Sequence, residues 1–197
     1  MEYVERIISW TLSARRGHDA GLISKTNPFT TVAEPTLALE CPDIGDSGSK
    51  IPPKYSFFET GHFPTLKWPE AEPLGVKEWL LIVEDPDAPL AEPVTHGIYY
   101  SISASKTGVS YEDFEDLGDF NLKGGFKYGL NRRKTVYIAP RGLLGHGPHR
   151  YFFEIIGLSE PLDTAGLSSP ATKEEVVSRI DGKVVAWGQW TGVWERT

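Results

Sequence analysis

The sequence predicts a mainly β protein, an antiparallel β-sandwich with a helix at its N-terminus and a short helix near its C-terminus. Strand-like apolar segments outnumber helical ones and are joined mostly by loops, without the regular strand–helix alternation of a doubly wound fold. The 15 prolines and 20 glycines favour many turns and few long helices. We expect one domain over residues 1–197, because the chain shows no linker or internal repeat and is long enough to bury a substantial core.

The composition limits the classes of partner and compartment. The net charge of −7 argues against a nucleic-acid backbone as the main partner. The chain has one cysteine, Cys41, which excludes an internal disulfide and fits a reducing compartment. The sequence holds no apolar run as long as a membrane span and no apolar signal core near its start. We therefore expect a cytoplasmic protein without a transmembrane segment.

Residues 1–34 read as a helix followed by a polar connection. Residues 2–16 carry apolar side chains at helical spacing with charged residues on the other side, and Gly17 stands just beyond them, which predicts a short amphipathic helix. The apolar positions are Val4, Ile7, Ile8 and Leu12. Because the basic residues of this helix are few, we expect it to pack on its own domain and not on a membrane.

Several segments in the rest of the chain are predicted to be strands. They span residues 35–40, 79–84, 94–103, 135–139, 151–158 and 183–196. The segment 79–84 is a long apolar run flanked by breakers, which indicates a buried strand. A second helix is expected over residues 172–180, where Thr172 and Glu175 form a capping-box pattern ahead of an apolar side.

A stiff acidic turn follows the buried strand. Pro86 and Pro89 fix their own φ angles and remove two backbone donors, so that Asp85 and Asp87 leave the sheet on a non-repeating turn. Two carboxylates on a rigid rim can take part in a functional site. They can also belong to a turn in which aspartate side chains bond nearby amides.

A loop rich in glycine and histidine lies between two predicted strands, at residues 140–151. Its glycines let backbone amides approach an anion closely, as in backbone nests. His149 stands at the start of the next strand, where a side chain is well positioned. Arg132 and Arg133, which precede segment 135–139, could contact a phosphate, but we interpret them as an exposed hairpin end.

The aspartates Asp85 and Asp87, with His96 and His149, suggest a pocket for a small anion. A carboxylate can bond one ring nitrogen of a histidine and favour its protonated form, while the other nitrogen donates to a phosphate or carboxylate ligand. The same groups could serve as a general base. His146 and His149 with an aspartate could hold zinc, but neither a helix nor a cysteine set supports that geometry, so we expect no metal and no cofactor.

The two loops carry a resemblance to a known family. The stretches Asp-Pro-Asp-Ala-Pro at 85–89 and Gly-Pro-His-Arg-Tyr at 147–151 together resemble the paired signatures of the phosphatidylethanolamine-binding protein (PEBP) family. The stretches Ile-Pro-Pro-Lys-Tyr at 51–55 and Leu-Lys-Trp at 66–68 fall at the places expected upstream. The likeness covers residues 35–194, which we expect to be the family core.

Some short sequence segments resemble particular branches of that family. The helix at 2–16, the segment 15–20 and Gly-His-Gly at 145–147 look like fungal members. The ending at 192–196 resembles a bacterial-type ending, with Trp194 at a place where an aromatic residue, usually tyrosine, is expected.

The resemblance implies a β-sandwich with a shallow pocket for phosphate-like groups. Carried over by position, the ligand-binding residues are Asp85, Asp87, His96, Pro140, Gly147, His149, Tyr151 and Trp194. The family also implies that Arg150 is structural and pairs with a carboxylate, and that Ala88–Pro89 is a cis bond. Gly97 departs from the family, in which a bulky residue commonly follows the histidine, and could open room for a larger ligand.

Two functions of different kinds follow from the resemblance. The first is a binding module that holds an anionic lipid headgroup or metabolite and modulates a protein partner such as a kinase or a protease. The second is an enzyme of fungal secondary metabolism that cyclises or couples a reactive anionic intermediate. Asp85 or His149 would then be the base, and amides of the glycine loop would stabilise an oxyanion. A homodimer is compatible with both, and a purely structural role is a third alternative.

Overall fold

The computed structural model describes residues 2–197, which form two antiparallel sheets. The strands are β1 (Leu66–Lys67), β2 (Glu78–Asp85), β3 (Val94–Ser103), β4 (Gly108–Val109), β5 (Lys127–Tyr128), β6 (His149–Leu158) and β7 (Val184–Trp194). The larger sheet has five strands in the order β5-β3-β2-β6-β7, and the smaller sheet pairs β1 with β4. The predicted mainly β antiparallel architecture is confirmed. No helix within residues 2–197 has the length and apolar character needed to cross a bilayer.

Strand β2 lies at the centre of the larger sheet, and all of its residues are buried. Its alternate side chains enter two different apolar clusters. Leu81 and Val83 pack in the first cluster, and Leu80 and Ile82 pack in the second, on the other face of the sheet. A strand that is covered on both faces reads as a continuous hydrophobic run, which explains the uninterrupted apolar segment in the sequence.

The antiparallel pairing of β2 with β3 and β6 brings the end of β2 and the starts of β3 and β6 together at one end of the sheet. Glu84, near the end of β2, lies opposite Phe152, near the start of β6. Asp85, the last residue of β2, lies opposite Val94, the first residue of β3. The acidic turn after β2 and the loop before β6 therefore meet at the same place.

The C-terminal helix forms where its capping pattern predicted. Helix α2 spans Lys173–Ile180. The Thr172 hydroxyl accepts from the Glu175 amide at 3.2 Å, and the Glu175 carboxylate accepts from the Thr172 amide at 2.8 Å. Val176 and Ile180 are buried, so the apolar side of the helix faces the core as the spacing indicated.

The N-terminal helix is shorter than predicted. Helix α1 spans Glu2–Leu12 and stops before residue 16. The chain beyond it turns onto the sheet edge, where the Gly17 amide donates to Asp87 Oδ1 at 3.1 Å and the His18 amide donates to the Pro86 carbonyl at 2.9 Å. These tertiary contacts replace the last predicted helical turn.

The apolar side of α1 is only partly accounted for by packing. Trp10 is 78% exposed and Ile7 is 48% exposed. Leu12 is partly buried. The side chains of Val4 and Ile8, which belong to the predicted apolar stripe, lie outside the described residues.

Two predicted strands are absent, and the prediction was wrong at both. Segment 35–40 contributes an isolated bridge between Glu40 and Lys67, and its Thr36 and Leu37 amides both donate to the Trp187 carbonyl instead of forming a ladder. Segment 135–139 is irregular, since the Asn131 side chain folds back to donate to the Thr135 carbonyl at 2.6 Å. Local turn and bridge contacts replace a regular ladder in these segments.

Candidate functional site

A buried carboxylate–imidazole pair joins the two loops. Asp85 Oδ2 lies 2.8 Å from His149 Nδ1, and both side chains are almost fully buried. Asp85 ends β2 and His149 begins β6, so the sheet register holds the two groups side by side. The loops that the sequence predicted to share one place do so.

The second oxygen of Asp85 is used within its own turn. Oδ1 accepts from the Asp87 amide at 2.8 Å and from the Ala88 amide at 3.1 Å. The turn-forming role of Asp85 and its contact with His149 therefore coexist. The Ala88–Pro89 bond is not cis, so that prediction was wrong. The Leu90 amide donates to the Ala88 carbonyl at 2.7 Å, and this three-residue turn around Pro89 is compatible with a trans bond.

A chain of hydrogen bonds continues from His149 to the N-terminal helix. His149 Nε2 lies 2.8 Å from His146 Nδ1, and His146 Nε2 lies 3.1 Å from the Leu12 carbonyl. The carbonyl can only accept, so His146 carries its proton on Nε2 and presents a lone pair at Nδ1. Burial lowers the pKa of His146, which keeps this ring neutral.

The direction of these bonds fixes where the protons lie. His149 donates from Nε2 to His146, so its contact with Asp85 requires a proton on either Nδ1 or the carboxylate. The expectation that the second nitrogen of His149 would donate to a ligand is therefore wrong, since that nitrogen is bound to His146. All four ring nitrogens of His146 and His149 are hydrogen-bonded. Within the described part of the chain, no group of three or more His, Cys, Asp or Glu side chains could hold a metal ion.

His96 approaches the same carboxylate from β3. Its Nδ1 lies 2.5 Å from the Ile138 carbonyl and so donates to it, and its Nε2 lies 3.9 Å from Asp85 Oδ2. Burial lowers the pKa of His96, although Asp85 opposes the shift. The ring is therefore neutral, and its Nε2 has a lone pair that can accept a proton.

Asp87, by contrast, faces away from the cavity. Its carboxylate accepts from the Arg150 guanidinium at 2.8 and 2.9 Å and from the Arg150 amide at 2.9 Å. Burial raises the pKa of Asp87, but the bonds from Arg150 outweigh burial and keep the pKa below its usual range. Arg150 also binds Asp19, at 2.7 and 3.0 Å. Arg150 thus pairs with carboxylates, as the resemblance implied, and ties the chain after α1 to the acidic turn.

An open cavity of about 460 Å³ lies beside the Asp85–His149 pair. Its lining consists of Glu5, Asp85, Ala88, Pro89, Leu90, Val94, His96, Arg132, Arg133, Ile138, Arg141, Gly142, Leu143 and His149. Asp85, His96 and His149 are the predicted site residues among them. This volume lies in the range of small-molecule sites.

Other predicted residues lie outside the lining. The Tyr151 hydroxyl accepts from the Arg141 amide at 3.3 Å and so supports the loop from behind. Gly147 lies against the Arg16 guanidinium, and Trp194 lines a separate groove together with Pro52 and Phe58. Pro140 lies directly ahead of Arg141 and is likewise not part of the lining.

Gly97 does not enlarge the cavity as expected. A Cβ atom at this position would lie 2.2 Å from the Tyr99 hydroxyl oxygen. The Tyr99 ring therefore already fills the space above the glycine, and its hydroxyl donates to the Val136 carbonyl at 2.9 Å.

Sequence reasoning missed the arginines of the cavity. Arg132 and Arg133, interpreted as an exposed hairpin end, are indeed exposed, but they also line the cavity together with Arg141. The guanidinium carbons of Arg133 and Arg141 lie 5.1 and 4.4 Å from the centre of the Phe57 ring, so one aromatic ring holds two cations at the cavity. The available signal was the position of Arg141, next to a residue already assigned to the pocket.

Comparisons with known proteins show the family to which the chain belongs. The sequence profile of the family described as phosphatidylethanolamine-binding protein matches residues 43–195. The chain belongs to the PEBP family. The family match includes both loops of the site and ends beyond β7, so the predicted membership is confirmed.

Fungal relatives in this family are similar over nearly the whole chain. Phomoidride biosynthesis cluster protein B of Talaromyces stipitatus is 45% identical over 205 residues, covering 100% of this chain and 84% of that protein. A protein of the same name from an unclassified fungus is 44% identical over 187 residues, covering 93% of this chain and 89% of its own length.

Solved PEBP structures share the fold. A PEBP homologue from Chlamydia trachomatis has a TM-score of 0.66 at 25% identity, covering 83% of this chain and all of its own. The Escherichia coli protein YBCL has a TM-score of 0.67 at 21% identity, covering 82% of this chain and 99% of its own. The latter likeness concerns the fold alone.

Proposed function

We propose that this PEBP-family protein binds a small organic anion, carrying a carboxylate or a phosphate, in the cavity beside Asp85 and His149. The observation that supports it is the arginine set Arg132, Arg133 and Arg141 in the cavity lining. Within the described residues none of the three forms an ion pair with a carboxylate, so their charges are available to a ligand. Guanidinium groups bind carboxylate and phosphate through paired N–H donors.

The floor of the cavity is compatible with an anion even though it contains a carboxylate. Asp85 is already hydrogen-bonded to two amides and to His149, and these bonds compensate its negative charge. Apolar side chains such as Leu90, Val94 and Leu143 line the rest of the space. A ligand with one anionic group and an apolar body fits this division of the surface.

Phosphate titration tests the proposal. Isothermal calorimetry with inorganic phosphate is expected to show binding, and Arg141→Gln is expected to weaken it on the order of tenfold, because one charge-assisted contact is lost. Lys67→Gln removes an equal charge at an exposed site outside the cavity lining and is expected to change affinity by no more than about twofold. Equal effects of the two substitutions would contradict the cavity as the site.

A second candidate function is catalysis on such an anion. Two observations favour it: the neutral His96 presents Nε2 beside Asp85 in the cavity, and the fungal relatives are named for a biosynthesis cluster. In this role His96 Nε2 would accept a proton from the ligand, and the resulting imidazolium would be held next to the Asp85 carboxylate. Asp85 and His149 would act through the hydrogen bond between them.

Product analysis separates the two candidates. The protein and a His149→Ala variant are incubated with candidate anionic metabolites, and both binding and product are measured. Binding without product across the set would contradict catalysis. Product formation that survives His149→Ala unchanged would contradict the role given to His149. A regulatory partner such as a kinase or protease, a lipid headgroup as the ligand, a homodimer and a cytoplasmic location stay predictions.

A further inference from the structure

Helix α1 places a carboxylate of the protein itself at the boundary of the cavity. Glu5 Oε1 accepts from the Leu144 amide at 3.1 Å and from Arg196 Nη1 at 2.6 Å, and Glu5 is part of the cavity lining. A backbone N–H and a guanidinium that converge on one oxygen form a typical carboxylate-binding arrangement. The chain thus contains a donor pair for an anion, and one of its own side chains occupies it.

The donor pair belongs to the body of the protein and not to the helix. Leu144 lies in the loop before β6, and its neighbour Leu143 lines the cavity. The Gly145 amide donates to the Arg196 carbonyl at 2.9 Å, which holds the C-terminal segment against this loop. The guanidinium carbon of Arg196 lies 4.3 Å from the centre of the Phe58 ring, so the cation keeps a second support when Glu5 leaves.

Polar contacts hold α1 over this region at both of its ends. At one end is the Glu5 carboxylate. At the other, the Leu12 carbonyl accepts from His146 at 3.1 Å, and the Arg16 guanidinium donates to the Pro148 carbonyl. Among the described large apolar side chains of α1, Trp10 is mostly exposed and Ile7 is about half exposed. Local opening of part of a native structure costs less free energy than global unfolding.

We propose that the Leu144 amide and the Arg196 guanidinium form a second anion subsite, which Glu5 occupies in cis and which a dicarboxylate ligand takes over by displacing Glu5 and releasing α1. The inference rests on the proposed function, since the first carboxylate of the ligand binds the arginines of the cavity. Glu5 then sets specificity: a monocarboxylate leaves α1 docked, whereas a dicarboxylate competes with it.

The test compares glutarate, a dicarboxylate, with butyrate, a monocarboxylate of similar chain length, by isothermal calorimetry. Glu5→Gln removes the competing charge. The factor by which it increases glutarate affinity is therefore expected to be about tenfold larger than the factor for butyrate affinity. In the double variant Glu5→Gln with Arg196→Gln, this selective gain is expected to disappear. Glu72→Gln, at an exposed residue of a distant turn, is the charge-matched control.

Limited trypsin digestion reports the position of α1 directly. Arg15 and Arg16 link α1 to the body of the protein, and the Arg16 guanidinium is bonded to Pro148 in the docked state. Saturating glutarate is expected to accelerate cleavage at these arginines several-fold, and butyrate is not. Glu5→Gln is expected to accelerate it without any ligand.

The outcomes separate this inference from the proposed function. If Glu5→Gln increased the affinities for glutarate and butyrate by the same factor, Glu5 would act only as a long-range charge, and this would overturn the subsite. An unchanged trypsin rate under glutarate would overturn the displacement of α1. Both results leave anion binding at the arginines intact. Failure of every variant to bind phosphate, butyrate and glutarate would contradict the proposed function and this inference together.

Discussion

The carboxylate of Asp85 and the imidazole of His149 form a 2.8 Å hydrogen bond across 64 residues of sequence. It joins the end of β2 to the start of β6 at the floor of the cavity. Both groups are buried, so each depends on the other to satisfy its polar atoms.

Asp85→Asn is expected to destabilise the protein by about 2 kcal/mol, because the substituted amide cannot replace a charged acceptor that is bonded to one imidazole and two backbone amides. Urea unfolding followed by circular dichroism measures the change. Asp46→Asn, at an exposed loop aspartate, is the matched control. Equal midpoints for the two variants would show that the bond contributes nothing to folding.

Glu154 is expected to make stability fall as the pH rises. Burial, reinforced by the nearby Glu84 carboxylate, raises the pKa of Glu154 from 4.5 to about 7 in the folded protein. The unfolded chain therefore loses this proton at a lower pH than the folded chain does, so folding is penalised between about pH 4.5 and 7 and the full penalty persists above.

Glu154→Gln removes this titration. Between pH 4 and pH 8, the free energy of unfolding of the unsubstituted protein is expected to fall by about 3 kcal/mol more than that of this variant. Urea unfolding at the two pH values measures the difference. The comparison between pH values cancels the constant cost of burying an amide. Parallel pH profiles for both proteins would contradict the assignment.

Gly97→Ala is expected to cost about 1–3 kcal/mol, because the new methyl group meets the Tyr99 hydroxyl and ring in a packed interior. Thermal unfolding of the single variant, of Tyr99→Leu and of the double variant forms a cycle that isolates this contact. The alanine is expected to cost clearly less when residue 99 is leucine. Simple additivity of the two substitutions would show that the ring does not fill this space.

Cys41 is expected to be unreactive in the folded protein. Burial raises the pKa of its thiol to about 12, and the thiolate is the reactive form. Labelling with a disulfide reagent at pH 8 is expected to follow the unfolding reaction, and the same reagent in denaturant provides the control. Rapid labelling under native conditions would show that the thiol is accessible.

Strand register explains which parts of the site could be predicted from sequence. The apolar run before Asp85 and the strand that begins at His149 are both core strands, and an antiparallel pair places such ends together. The resemblance to the family supplied the pairing of the two motifs. The position of the Tyr99 ring over Gly97 could also have been predicted, because residues two apart on a strand share a face.

Other parts of the site depend on packing that the sequence does not encode locally. Asp85 and Asp87 occupy the same turn, and only the positions of His149 and Arg150 decide which carboxylate faces the cavity. The placement of Glu5 depends on where α1 docks, which results from contacts with residues more than a hundred positions away. Arg132 and Arg133 precede the segment predicted to be a strand, and the neighbouring Asn131 side chain donates to the His96 carbonyl of β3, which places these arginines beside the cavity.

The most direct test of the proposed anion site is a phosphate titration followed by amide chemical shifts in ¹⁵N-labelled protein. The account predicts that the shifts concentrate at Leu90, Gly142, Leu143 and His149 of the cavity lining, and that Arg141→Gln reduces them. Shifts that concentrate instead in the groove around Phe58 and Trp194, or that spread evenly over the surface, would contradict it.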